Sequence, residues 1–261
     1  MNSIIEVRDL VTHYGDREIL KHLSFNVPSG MTTVILGGSG CGKSTLLKHL
    51  IGLLKPTSGH IEIKGQDITS MNQDVLNEVR KKMGILFQGA ALLNSMTVLD
   101  NVALPMREHT KLEESTIQIM VRMKLDLVGL SGFDDFYPSQ LSGGMKKRAG
   151  LARALALDPE LLFFDEPSAG LDPVTAAGLD ELILKLRNVF KMTIIVVTHE
   201  LPSVFMIADY VIMLDAGKVI FQGTLDELKN SDNPRIQMFL ERKPEDEIYS
   251  PEDYFNIIAG E

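Results

Sequence analysis

An α/β fold with a mainly parallel central sheet is what this sequence predicts, on three observations. Residues 33–36 (TVIL), 161–164 (LLFF) and 194–197 (IIVV) are short, continuously apolar runs, the pattern of strands covered on both faces. Each run is followed at once by glycine-rich or charged residues, and open α/β sheets bind ligands at the carboxyl ends of their strands. Between the runs, apolar residues recur at helical spacing.

The elements follow in order. Residues 5–10 (IEVRDL) and 61–64 (IEIK) alternate apolar and polar, as half-buried antiparallel strands do. They predict an N-terminal antiparallel β subdomain. Ile117, Met120, Val121, Leu125 and Val128 share one helical face, so residues 89–157 read as an inserted helical subdomain, with one helix expected over 145–157. Leu179, Leu182, Ile183, Leu186 and Phe190 mark a further helix. The pattern decays near Asn233. One domain is expected over 1–232, and 233–261 forms a C-terminal extension. That extension carries Ile248, Tyr249, Tyr254, Phe255, Ile257 and Ile258 among acidic residues. A disordered tail rarely holds so many large apolar groups, so residues 244–261 are expected to dock on a neighbouring chain.

Composition narrows the function. The 261-residue chain has a net charge of −9, which opposes nucleic-acid binding through phosphates. A single cysteine, Cys41, excludes an intrachain disulfide and fits a reducing compartment. The first residues carry charges where a signal peptide is apolar, and no run approaches the roughly 20 apolar residues of a membrane span. A soluble, cytosolic chain is expected, with any membrane role supplied by a partner.

Residues 37–44 (GGSGCGKS) match G-x-x-x-x-G-K-[ST] directly after an apolar strand, and Leu46, Leu47, Leu50 and Ile51 then open a helix. That is the context of a P-loop. Gly37, Gly38, Ser39, Gly40, Cys41, Gly42, Lys43, Ser44 and Thr45 are assigned to nucleotide phosphates. Backbone N–H groups and the helix dipole supply the attraction. Lys43 is expected on the β- and γ-phosphates and Ser44 on Mg²⁺. Cys41, beside Lys43 and a helix N-terminus, is expected to have a lowered pKa and a nucleotide-dependent reactivity.

Asp165 and Glu166 end the 161–164 run. Adjacent carboxylates at a strand end are costly unless a cation or a task retains them. Asp165 therefore suits Mg²⁺ and Glu166 suits the attacking water. Residues 141–145 (LSGGM) open a second helix and make a second anion-binding turn from Ser142, Gly143 and Gly144. His199 follows the third apolar run, whereas His13, His22, His49, His60 and His109 have no such setting.

The order of these motifs, with Gln88 between the first and second and 168–172 (SAGLD) before Thr198 and His199, resembles an ATP-binding cassette (ABC) ATPase over residues 4–228. The resemblance implies a head-to-tail homodimer with two ATP and Mg²⁺ sandwiched between subunits. Ser142–Gly144 then completes the partner's site. It also implies that Tyr14 stacks on adenine, that Gln88 touches Mg²⁺ and water and senses a permease, and that His199 meets the γ-phosphate. Met145 stands where many family members have Gln.

The stretches 84–93, 100–110, 141–145 and 198–201 are similar to the ATPases of Mla-type phospholipid transporters. That likeness implies two membrane permease subunits and an MCE-domain lipid-carrying subunit. The chain would then sit on the cytoplasmic face of a bacterial inner membrane. Competing readings are an import ATPase for amino acids, metal ions or another small solute, a soluble ABC protein of DNA repair or translation, and a non-hydrolysing scaffold. One cassette, no heptad run and an acidic charge oppose the second. Lys43, Asp165, Glu166 and His199 oppose the third.

Overall fold

The structure is a computed structural model that describes residues 2–243. The docking tail expected from Pro244 lies outside the described residues. Contacts divide the chain into Met1–Leu225 and Asp226–Glu261. The first unit carries every candidate site residue. The second, where described, holds the rest of α8 (Leu225–Lys229) and α9 (Pro234–Leu240).

Alternation at the N-terminus produces the expected antiparallel sheet. β1 (Ser3–Tyr14), β2 (Arg17–Pro28), β4 (Ser58–Ile63) and β5 (Gln66–Asp67) pair in the order β2-β1-β4-β5. Val7 lies opposite Phe25 on one side and Ile61 on the other, and all three are buried. Register shifts between Val7 and Leu10 on the β2 side and between Arg8 and Val11 on the β4 side, around the positive-φ residue Asp9, mark a bulge in β1.

The apolar runs form the second sheet. β3 (Thr32–Leu36), β6 (Met83–Leu86), β7 (Leu161–Asp165), β8 (Thr193–Thr198), β9 (Tyr210–Asp215) and β10 (Lys218–Thr224) lie in the order β10-β9-β3-β8-β7-β6. Every residue of β3 and β8 is buried, which explains why these strands do not alternate. Neighbours from β9 to β6 are parallel, and only β10 runs back. The registers pair Leu36 with Thr198, Asp165 with Val197, and Leu86 with Phe164. The carboxyl ends of β3, β8, β7 and β6 therefore share one edge, so four loops far apart in sequence meet there.

Helices occupy the middle region as expected: α3 (Val98–His109), α4 (Glu114–Leu127) and α5 (Gly143–Ala154). Thr97 and Asn101 organise the entry to α3. The Thr97 hydroxyl caps Asp100 N, and buried Asn101 bonds both backbone groups of Leu93. α5 starts two residues earlier, and ends three earlier, than the expected 145–157. The Ser142 hydroxyl accepts from Met145 N at 3.3 Å, so the two glycines fall inside the first turn.

Candidate nucleotide site

The phosphate loop leaves β3 at Leu36 and enters α1 (Lys43–Leu50) through Gly42. Gly42 has φ 107°, and a Cβ there would stand 2.6 Å from Leu20 Cδ2. Only glycine fits this turn where β2 passes over it. α1 has no acidic residue in its first turn, leaving its dipole to a ligand. Lys43 is buried, and its ammonium donates to Gly37 O and Gly38 O, both at 2.8 Å. A phosphate, with its larger charge, can compete for those donors. Ser44 is exposed at the helix start and Thr45 half-buried.

Cys41 corrects an expectation. Its side chain points into the core, with 6% of the residue exposed. Burial pushes the thiol up, and the opposing pull of Lys43 is smaller. Its setting is that of a buried packing cysteine.

β7 delivers Asp165, and Glu166 follows in a left-handed conformation, φ 46°. That backbone is rare for a residue with a side chain and recurs at active sites. Glu166 N donates to Val197 O at 2.8 Å, which pins the turn to β8. Glu166 Oε1 accepts from His199 Nδ1 at 2.9 Å, selecting the Nδ1–H form because a carboxylate only accepts. Among the described residues, Asp165 Oδ1 and Glu166 Oε2 are buried without a hydrogen-bond partner. Burial, and then the Glu166 charge, raise the Asp165 carboxyl, while Lys147, Lys48 and Lys43 draw it down.

These atoms fit Mg²⁺. The ion prefers oxygen donors, one or two carboxylates and substrate phosphates, and an orphaned carboxylate oxygen with a hydroxyl at a P-loop helix start is such a donor set. Asp165 and Ser44 would hold it, and bound there it neutralises charge on the phosphates. Glu166, the exposed His199 ring and the Lys43 ammonium surround the same sheet edge.

Gln88 lies just beyond β6 with its side chain exposed. Its loop is strained: Ala90 and Ala91 have φ 60° and 51°. Arg153 donates to Ala90 O at 2.8 Å and to Ala91 O at 2.7 Å. One further residue was not anticipated. Lys147, 6% exposed, donates to Gln88 O and, at 3.2 Å, to Glu166 O. Burial pushes its ammonium down, against the attraction of Asp165 and Glu166. A signal was present in the sequence: Gly144, Lys147 and Leu151 share the inward stripe of α5, and a lysine there needs a partner.

The remaining expected residues stand apart. Tyr14 is exposed at the β1–β2 hairpin, whose second strand overlies Gly42. Ser142 is exposed, its glycines facing Leu171 and Thr175, and none of its hydrogen bonds reaches residues 37–45 of its own chain. Of the unassigned histidines, His49 is buried between Thr12 Oγ1 (2.7 Å) and Leu54 O (2.8 Å), a packing role.

The ABC transporter family model matches residues 20–169. Over 97% of both chains, the sequence is 45% identical to the intermembrane phospholipid transport system ATP-binding protein MlaF of Haemophilus influenzae. It is 44% identical, over 92% of this chain and 69% of the other, to a probable ribonucleotide transport ATP-binding protein of Mycobacterium leprae. Among solved structures, cbiO1 from Clostridium perfringens superposes with a TM-score of 0.81 at 32% identity, covering 92% of this chain and all of that one. An ATP-binding cassette dimer bound to ADP and Pi gives 0.78 at 30% identity, over 85% and 98%. Phosphate loop, paired carboxylates, His199 and the Ser142 turn thus stand on a cassette fold, and the chain belongs to the ABC transporter family as one of its ATP-binding, ATP-hydrolysing subunits.

Proposed function

We propose that this chain drives phospholipid transport between the two membranes of a double-membraned bacterium. The observation that carries the reading is the 45% identity, over 97% of both chains, to a relative named for intermembrane phospholipid transport. Two copies sandwich two ATP head to tail. Each Ser142–Gly144 turn faces the other chain's nucleotide, in keeping with the exposure of Ser142 and Gly143 and with Ser142 making no hydrogen bond to its own phosphate loop.

Within one site, Gly37–Thr45 hold the phosphates, with Lys43 turning from Gly37 O and Gly38 O onto them. Asp165 and Ser44 hold Mg²⁺, Gln88 reaches the ion and the water, and Tyr14 stacks on adenine. Glu166 orients and deprotonates the water. His199 holds Glu166 through Nδ1 and meets the γ-phosphate. Little covalent chemistry is asked of the protein in phosphoryl transfer, so positioning and charge supply the rate.

Two permease subunits dock at the groove lined by Arg80, Phe87, Ala91, Pro105 and His109, about 840 Å³ in volume, and an MCE-domain subunit carries the lipid. The chain is then peripheral on the cytoplasmic face of the inner membrane. Purifying the assembled complex from its native membrane tests this. Phospholipid in the complex and ATPase activity raised by phospholipid are expected. Stimulation by an amino acid, metal ion or nucleotide instead would replace the cargo assignment.

A further inference from the structure

We propose that Lys147 is a positioning residue for hydrolysis: from the helix that begins at Ser142, it fixes the backbone of both Glu166 and the Gln88 loop. The inference rests on the reading of Glu166 as the carboxylate that activates water.

Lys147 sits one turn into α5, and its ammonium bonds carbonyls 59 and 19 residues away in sequence. Those carbonyls belong to the loops beyond β6 and β7, which are adjacent parallel strands. A cation buried to this extent is expensive unless it is bound, and neutral carbonyls beside the Asp165–Glu166 pair supply the binding. Both acceptors are backbone atoms of residues in unusual settings. Glu166 holds a left-handed φ, and Gln88 precedes Ala90 and Ala91, which do the same under the grip of Arg153, also on α5. Strained backbone persists only where its surroundings over-determine it. One helix thus holds both strained loops.

The consequence is a link inside one chain. The start of α5 serves one nucleotide of the dimer, while Glu166 and Gln88 of that chain serve the other. Lys147 joins them through a single side chain. When the Ser142 turn moves with α5, the Glu166 and Gln88 backbones move with it. Charge alone does not do this; a donor that reaches both carbonyls does.

The test compares Lys147→Met, Lys147→Gln and Lys147→Arg in the full-length chain, with Glu166→Gln alongside. Met preserves volume but donates nothing, Gln retains limited donor capacity, and Arg keeps charge and several donors. Catalytic groups displaced by about 1 Å lose on the order of 10²-fold. Lys147→Met should therefore lower kcat by on the order of 10-fold or more while KM and the equilibrium affinity for MgATP stay within about 3-fold. Lys147→Arg should recover most of the rate. If Lys147→Met is insoluble, Lys147→Gln is read in its place with the same expectation. A wild-type kcat in the non-cationic variant overturns the proposal. So does a loss of MgATP affinity in parallel with kcat, which marks a general structural role. The control separates the two claims. If Glu166→Gln turns over normally, the carboxylate assignment fails and takes this proposal with it. If Glu166→Gln is inactive while the Lys147 variants are normal, only this proposal fails.

Discussion

Gly144 offers a test whose size can be worked from the structure. It lies in the first turn of α5, and a Cβ added there would stand 2.4 Å from Thr175 Cγ2 on α6 (Pro173–Phe190). Carbon atoms pack at about 3.5–4.0 Å, so the overlap exceeds about 1 Å. Overpacking of this kind costs about 1–3 kcal/mol. Alanine's helix preference over glycine returns about 0.5–1 kcal/mol. Gly144→Ala should therefore destabilise by up to about 2 kcal/mol net, a fall in Tm of several degrees at about 2–4 °C per kcal/mol for a chain of this size.

The clash resides in one methyl group. Thr175→Ser removes Cγ2 but keeps a hydroxyl for the 2.6 Å bond to Asp172, and the remaining Cβ is 3.9 Å from the added methyl, an ordinary contact. In that background Gly144→Ala should be neutral or slightly stabilising. Thermal and urea unfolding of the four proteins decide the matter. Equal stability of Gly144→Ala and wild type, or no recovery with Thr175→Ser, refutes the packing argument.

Other outcomes follow from the site and the core. Glu166→Gln should lower kcat by on the order of 10²-fold or more, the scale of general-base effects, with MgATP still bound in a filter-binding assay, whereas Lys43→Ala should weaken ATP binding itself. Asp180 is 3% exposed, accepts from Ser203 Oγ at 2.7 Å, and has no partner for its other oxygen among the described residues, so burial raises its carboxyl. The native state then holds a proton that the unfolded state releases, and stability falls as pH rises towards the raised native value. Asp180→Asn should stabilise by about 1–2 kcal/mol at pH 8, with the gain shrinking as pH is lowered, as unfolding curves at several pH values will register. Cys41 should label slowly with maleimide at equal rates with and without MgATP, and quickly once urea unfolds the chain; protection by MgATP in the folded protein would restore a reactive thiol.

What the sequence disclosed and what it hid have physical causes. β3, β7 and β8 were legible because strands buried on both faces have no reason to alternate. The phosphate loop was legible because its chemistry lies in eight consecutive residues. The positions of Asp165, Glu166 and His199 stood out because each follows an apolar run, and adjacent parallel strands bring them to one sheet edge. Lys147 and Arg153 were not assigned, since their acceptors are backbone carbonyls in loops about 60 residues earlier and, for Lys147, also 19 residues later, and no spacing rule reports a carbonyl. Cys41 was misread because sequence places it beside Lys43 while packing turns its side chain into the core. The start of α5 was placed late because Ser-Gly-Gly reads as a turn until the Ser142 cap is seen.

A nucleotide site completed by a second chain can be rebuilt from two inactive chains, because each defect falls on a different half of the shared site. Ser142→Arg puts a bulky charge on the turn offered to the partner, and Lys43→Ala disables the chain's own phosphate loop. Each alone should lose turnover. Random mixing at equal amounts yields half hybrid dimers, each with one intact composite site of two, so turnover should return to at most about a quarter of wild type. Near-full turnover by Ser142→Arg alone, or by an isolated monomer, would contradict a shared site.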